Sequence, residues 1–163
     1  GYSMSVTVIF GSDGGTTRAI ANRIASRLQG RTVDIAKAAP EDFETPQLLI
    51  LGCPTYGLGD LQVDWEERID LLENANLSGK RVALFGTGDQ VSYPDTFVDA
   101  IGTLYDIVVE RGANVVGFTE VKGYEHTGST AERDGKFVGL ALDEDQQSGM
   151  TERRLSAWID QIR

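Results

Sequence analysis

Two kinds of hydrophobic pattern alternate along this chain. Short apolar runs fall at residues 5–10, 31–36, 48–52, 81–86 and 114–118 and read as strands. Between them the apolar positions recur at helical spacing. Ile20, Ile24 and Leu28 form a first stripe at i, i+4 and i+8. A short second helix is expected around 41–43. Trp65, Ile69 and Leu72 mark the next helix. Phe97, Ile101, Leu104, Tyr105 and Val108 mark a long one, with Gly112 as its stop and Pro94 suited to its first position. Leu155, Trp158, Ile159 and Ile162 form the last stripe, with Thr151 as N-cap and Glu152 in the first turn.

Strands alternating with helices imply a parallel sheet covered on both faces. The run Leu48-Leu49-Ile50-Leu51 is apolar throughout, as a doubly covered strand requires. The expected fold is therefore α/β, a doubly wound five-stranded parallel sheet. Residues 119–138 depart from the alternation. They are polar and contain Gly123, Gly128 and Gly135, and a second apolar run follows at 138–142. This stretch reads as a long excursion that interrupts the fifth strand, and so long a connection has a purpose or a small structure of its own.

Composition narrows the class. The 163 residues suit one domain, expected over 4–163, with Gly1-Tyr2-Ser3 ahead of Met4 read as a cloning remnant. The single cysteine, Cys53, excludes an intramolecular disulfide and suits a reducing compartment, so a cytoplasmic location is expected. No apolar run approaches the roughly 20 residues that span a bilayer. The net charge of −10 argues against nucleic acid and against anionic membrane surfaces. Its natural complement is a protein partner with a basic docking patch.

Ligands of open α/β sheets gather beyond the carboxyl ends of the strands. Three connections meet there. The first, Gly11-Ser12-Asp13-Gly14-Gly15-Thr16-Thr17, leads into a helix. Its glycines free the backbone, its hydroxyls can donate, and the helix N-terminus adds partial positive charge. This is a phosphate cradle without a cation, and it has neither the Walker A nor the dinucleotide-binding spacing. The second, Cys53-Pro54-Thr55-Tyr56-Gly57-Leu58-Gly59-Asp60-Leu61-Gln62, presents Tyr56. The third, Gly86-Thr87-Gly88-Asp89-Gln90-Val91-Ser92-Tyr93-Pro94, presents Tyr93. Two tyrosines on flanking loops can sandwich a flat aromatic group. A planar ring with a phosphate tail points to FMN.

These motifs, in this order, resemble the long-chain flavodoxin family. Residues 134–143, Asp134-Gly135-Lys136-Phe137-Val138-Gly139-Leu140-Ala141-Leu142-Asp143, are similar to the stretch that closes that family's long insertion. The resemblance implies the strand order 2-1-3-4-5, for which flavodoxin is a standard example. It implies that Ser12, Asp13, Gly14, Gly15, Thr16 and Thr17 bind phosphate, and that Asp145 meets the ribityl chain. By the same resemblance Pro54, Thr55, Tyr56, Gly57, Leu58 and Gly59 face the flavin, with Tyr56 on the inner face and Tyr93 on the outer. Thr87, Gly88, Asp89 and Thr96 belong to the pyrimidine end. The sequence departs at Gly14, where the family usually has Thr, and at Tyr56, where many relatives have Trp.

The function implied is a low-potential one-electron carrier, not an enzyme. It would run as a monomer and cycle mainly between semiquinone and hydroquinone. Its partners would be redox proteins with basic docking surfaces, such as ferredoxin-NADP reductase-like donors or acceptors. The alternative is an FMN-dependent NAD(P)H quinone reductase of similar fold, which Tyr93 would obstruct. A phosphorylatable receiver domain is excluded, because the third strand ends Gly52-Cys53-Pro54 with no Asp. His126, the one histidine, is expected at the surface, and Cys53 in the core. The run Asp60, Asp64, Glu66, Glu67, Asp70 and Glu73 reads as a solvated helix face or a docking patch, and its place beside the proposed flavin edge favours docking. No metal site is expected.

Overall fold

A computed structural model describes residues 5–163, so the expectation for Gly1-Tyr2-Ser3 and Met4 lies outside the described residues. Strand β1 (Val6–Phe10) leads into helix α1 (Thr16–Leu28), then β2 (Arg31–Asp34), α2 (Pro40–Glu44) and β3 (Leu48–Gly52). A hairpin of β4 (Thr55–Tyr56) and β5 (Asp60–Leu61) precedes α3 (Val63–Glu67) and α4 (Ile69–Glu73). Then come β6 (Arg81–Thr87), α5 (Asp99–Glu110), β7 (Asn114–Val116) and three short strands, β8 (Thr119–Glu120), β9 (Glu132–Arg133) and β10 (Lys136–Phe137). Strand β11 (Leu140–Leu142) and α6 (Thr151–Ile162) complete the chain.

The main sheet is parallel, in the order β2-β1-β3-β6, and its fifth lane is split. Strand β7 pairs with the start of β6 (Arg81↔Asn114) and β11 with its end (Leu142↔Thr87). Between the two halves, β8, β10 and β9 form a separate antiparallel sheet. The expected order and the interrupted fifth strand are both present. Residues of β1, β3 and β6 alternate between two cores because strand side chains alternate faces. Ile9, Leu49, Leu51, Val82 and Leu84 pack with Trp65, Leu72, Ile101 and Leu104. Val8, Phe10, Leu48, Ile50, Ala83 and Phe85 pack with Ile20, Ile24, Leu155 and Trp158.

Four expectations change. The stripe of Trp65, Ile69 and Leu72 is two short helices, because Arg68 leaves helical geometry (φ −117, ψ 19). Its guanidinium donates to the Ala38 carbonyl. Helix α5 starts at Asp99 and not at Pro94, because Val98 holds a left-handed φ of 48° that no helix can run through. Thr151 is the first residue of α6 and not its N-cap, since a 3-10 turn, Ser148–Met150, already winds the chain before it. His126 is not a surface residue: its side chain is 8% exposed, and its ring packs among Phe97, Tyr124 and Phe137. Among the described residues no helix is long and apolar enough to cross a membrane.

Candidate functional site

The carboxyl ends of β1, β3 and β6 are tied side by side. The Gly11 N–H donates to the Gly52 carbonyl (3.2 Å) and the Cys53 N–H to the Phe85 carbonyl (3.2 Å). The three loops therefore leave the sheet together. They enclose, with the chain after β11, a cleft of about 280 Å³. Its lining includes Ser12, Gly14, Thr16 and Thr17 from the first loop, and Pro54, Thr55 and Tyr56 from the second. Thr87, Gly88, Asp89 and Tyr93 come from the third, and Glu144 and Asp145 from beyond β11.

The first loop suits an anion. Gly15 precedes α1 at φ 90°, a backbone open to glycine, and no side chain caps the helix. An uncapped helix presents its first N–H groups together with its positive dipole end. Thr16 and Thr17, the first two helical residues, line the cleft at that end. Ser12 is already engaged, its hydroxyl accepting from the Gly15 N–H (3.0 Å). Among the described residues lining the cleft there is no lysine or arginine, so the cleft itself offers neutral donors to a phosphate; Arg23 lines the adjoining groove over Gly14, Gly15 and Thr16 and is paired with Glu152.

Two aromatic rings supply the other half. Tyr56 is 39% and Tyr93 49% exposed, and both line the cleft. Burial, and then the Asp13 carboxylate beside it, push the Tyr56 phenol up to about 12. Rings left half open on facing loops offer apolar surface to a flat ligand. The residues present therefore fit a planar ring carrying a phosphate.

Acidic groups complete the lining. The Ser92 backbone N–H, with its hydroxyl, the Gln146 amide and the Val91 N–H, holds Asp89 below the usual carboxylate range. Burial, then the carboxylates of Asp89, Asp143 and Glu144, raises Asp145.

The remaining expected site residues lie around the cleft. Asp13 accepts from the Gln62 amide (2.9 Å), linking the first two loops. Gly57, Leu58 and Gly59 form the tip of the β4–β5 hairpin, closed by the Gly59 N–H on the Tyr56 carbonyl (3.1 Å). Gly57 has φ 51° at the first central position, as a type II′ turn requires, and Leu58 is 88% exposed. Thr96 sits against this tip, its hydroxyl donating to the Gly57 carbonyl (3.2 Å).

Several supporting residues were missed from sequence. Asp143 is fully buried and accepts from the Gln90 N–H (2.9 Å), the Gln90 amide (2.8 Å), and the N–H groups of Asp145 (3.0 Å) and Gln146 (2.8 Å). It clamps the third loop to the chain after β11. The Thr55 hydroxyl accepts from the Ala100 N–H (2.8 Å), seating the second loop on the start of α5. Glu144 lines the cleft without a sequence signal beyond its neighbour Asp145. Cys53 is fully buried as expected, and burial first, opposed by the Gln62 backbone, pushes its thiol up to about 12. No group of three or more His, Cys, Asp or Glu among the described residues could hold a metal ion.

A protein-family model described as "Flavodoxin" matches residues 8–158. A flavodoxin of a Nostoc species is 42% identical, over 99% of this chain and 96% of its own. Flavodoxin 1 of Escherichia coli K12 is 44% identical, over 98% of this chain and 93% of its own. A solved Fusobacterium nucleatum flavodoxin bound to flavin mononucleotide superposes with a TM-score of 0.93 at 34% identity, over 98% of this chain and 96% of that one.

Proposed function

The chain belongs to the flavodoxin family, and from that premise we propose that it binds one FMN in this cleft and carries electrons between larger redox proteins. It is an electron-transfer protein and not an enzyme. The observation that carries the reading is one cleft joining an uncapped helix N-terminus to two half-exposed tyrosines. The α1 N-terminus with Ser12, Thr16 and Thr17 would hold the phosphate. Tyr56 and Tyr93 would hold the ring, Asp145 the ribityl chain, and Asp89 the pyrimidine end. When bound, FMN supplies a centre that accepts one or two electrons.

The finer steps follow from charge. The cleft is lined by Asp89, Glu144 and Asp145 with no cation, in a chain of net charge −10. Adding negative charge there is opposed by Coulomb repulsion. The working couple is therefore the low-potential one, between the one-electron-reduced and fully reduced states. Partners carry basic surfaces, of the kind found on ferredoxin-NADP reductase-like proteins, and dock on exposed Glu66, Glu67, Asp70 and Glu73.

The test is a titration of the flavin-free protein with FMN and with riboflavin, which lacks the phosphate. FMN should bind one to one and quench its fluorescence, and riboflavin should bind at least about tenfold more weakly, the loss of one charge-assisted hydrogen bond. Failure to take up FMN, or equal affinity for the two, would overturn the assignment.

A further inference from the structure

A second cleft, of about 420 Å³, lies between the excursion sheet, β11 and α6, and shares no lining residue with the first. We propose that it is a binding site for a small flat aromatic carboxylate. Its size falls within the range of roughly 300–1,000 Å³ typical of small-molecule sites. Three rings line it: Phe118, Tyr124 and Trp158. The polar ends of two of them are already satisfied. The Tyr124 hydroxyl donates to the Ala141 carbonyl (2.5 Å) and the Trp158 indole N–H to the Gly117 carbonyl (2.9 Å). Trp158 is 1% exposed and forms the floor, so Phe118 and Tyr124 present the apolar surface, with no competing donor on the Tyr124 ring.

The charge of this cleft is opposite to that of the whole chain. Lys122, Lys136 and Arg154 line it against one acid, Glu120, which lies 3.5 Å from Lys136. Such a patch in a chain of net charge −10 is a local exception. Arg154 carries the more specific signal. Among the described residues its buried Nη1 has no hydrogen-bond partner, and its Nη2 reaches only the Gly123 carbonyl, at 3.4 Å. A buried donor without a partner is rare, and a guanidinium fork matches a carboxylate in two parallel hydrogen bonds. The guanidinium is already oriented by stacking on Tyr124, 3.9 Å from the ring centroid. A ring against Phe118 and Tyr124, and a carboxylate for which the guanidinium pivots over the Tyr124 ring to bring Nη1 out of its buried position, would satisfy both features at once. The excursion at 119–138 then has a purpose: it supplies Thr119, Lys122, Tyr124 and Lys136 to a wall that the five-lane sheet alone lacks.

The test is a titration of naphthalene-2-carboxylate into the ¹⁵N-labelled, FMN-loaded protein, followed by amide chemical shifts. Saturable shifts are expected around 118–124, 136–140 and 154–161, with the flavin spectrum unchanged. Naphthalene-2-methanol, without the charge, should bind at least about tenfold more weakly. Arg154→Gln should remove most of that difference, and Lys136→Gln, at an exposed position, part of it. Ala157→Trp, on the exposed edge of the cleft, should block both compounds. Shifts confined to the loops of Tyr56 and Tyr93, no saturation, or equal affinity for acid and alcohol would overturn the proposal. A protein that takes up no FMN fails the preceding assignment instead, and these shifts can still be read on it.

Discussion

Gly14 is the position where one added hydroxyl should tighten FMN. It lines the cleft beside Thr16, and its φ lies outside the left-handed region. A Cβ built there meets no heavy atom within 4 Å. Gly14→Thr therefore places its Cβ without strain or displacement. A hydroxyl hydrogen bond to a charged phosphate is worth about 1.5–3 kcal/mol. Fixing a small branched side chain costs about 0.5–1 kcal/mol. The net gain of roughly 1–2 kcal/mol corresponds to an FMN affinity about 5–30-fold higher. The assay is fluorescence quenching on titrating flavin-free protein, with two controls. Gly14→Ala adds the Cβ without the hydroxyl and should leave FMN affinity unchanged. Riboflavin lacks the phosphate and should gain nothing from Gly14→Thr. If Ala and Thr act alike, or if riboflavin gains as much as FMN, the hydroxyl is not meeting phosphate and the reasoning fails.

Gly57→Ala puts a Cβ on a residue at φ 51°, at a cost of roughly 1–2 kcal/mol. That cost falls on the hairpin tip as it stands, so the urea midpoint should drop; an unchanged midpoint would show that the tip relaxes without cost. Asp143→Ala strands the two buried Gln90 donors, at roughly 1–3 kcal/mol each; a urea midpoint and FMN affinity that both hold would show the clamp to be dispensable. Cys53, buried with its thiol pushed up to about 12, should not react with a thiol reagent at pH 8 until the protein unfolds, and prompt labelling of the folded protein would contradict its burial. Reversing the charges of exposed Glu66 and Glu67 should slow electron exchange with a basic reductase and weaken its dependence on salt; an unchanged salt slope would move docking to another face.

The sheet was legible in the sequence because burial on both faces writes itself as unbroken apolar runs. Leu48–Gly52 has no polar residue, and none of its residues is exposed. The cleft loops were legible because turning a backbone needs glycine, and presenting a ring needs an aromatic residue where the apolar pattern stops. The misplaced features have the opposite character. Arg68 breaks a helical stripe in favour of a carbonyl about thirty residues earlier, which no local window contains. His126 reads as polar, yet it is held by three aromatic rings and Glu132. Asp143 looks like another surface acid in an acidic run, and only the folded chain brings Gln90 to it. Pattern reports what a residue does for its own segment, and these residues act between segments.

That distinction bears on how an acidic protein could hold an anion. The cleft is lined by three carboxylates, and Asp145 is raised by its burial and its acidic neighbours. A lysine in the cradle would ease phosphate binding, but it would also offset the negative field over the ring. A cradle that held the phosphate with backbone N–H groups and hydroxyls would avoid that compensation, because dipoles act within about one helical turn while a net charge reaches farther. At an effective dielectric of about 20, one carboxylate roughly 8 Å away opposes an added negative charge by about 2 kcal/mol. Over a one-electron step that is on the order of 90 mV. On the proposed assignment, a neutral cradle would bind the phosphate without a cation, and the acidic walls would then lower the potential.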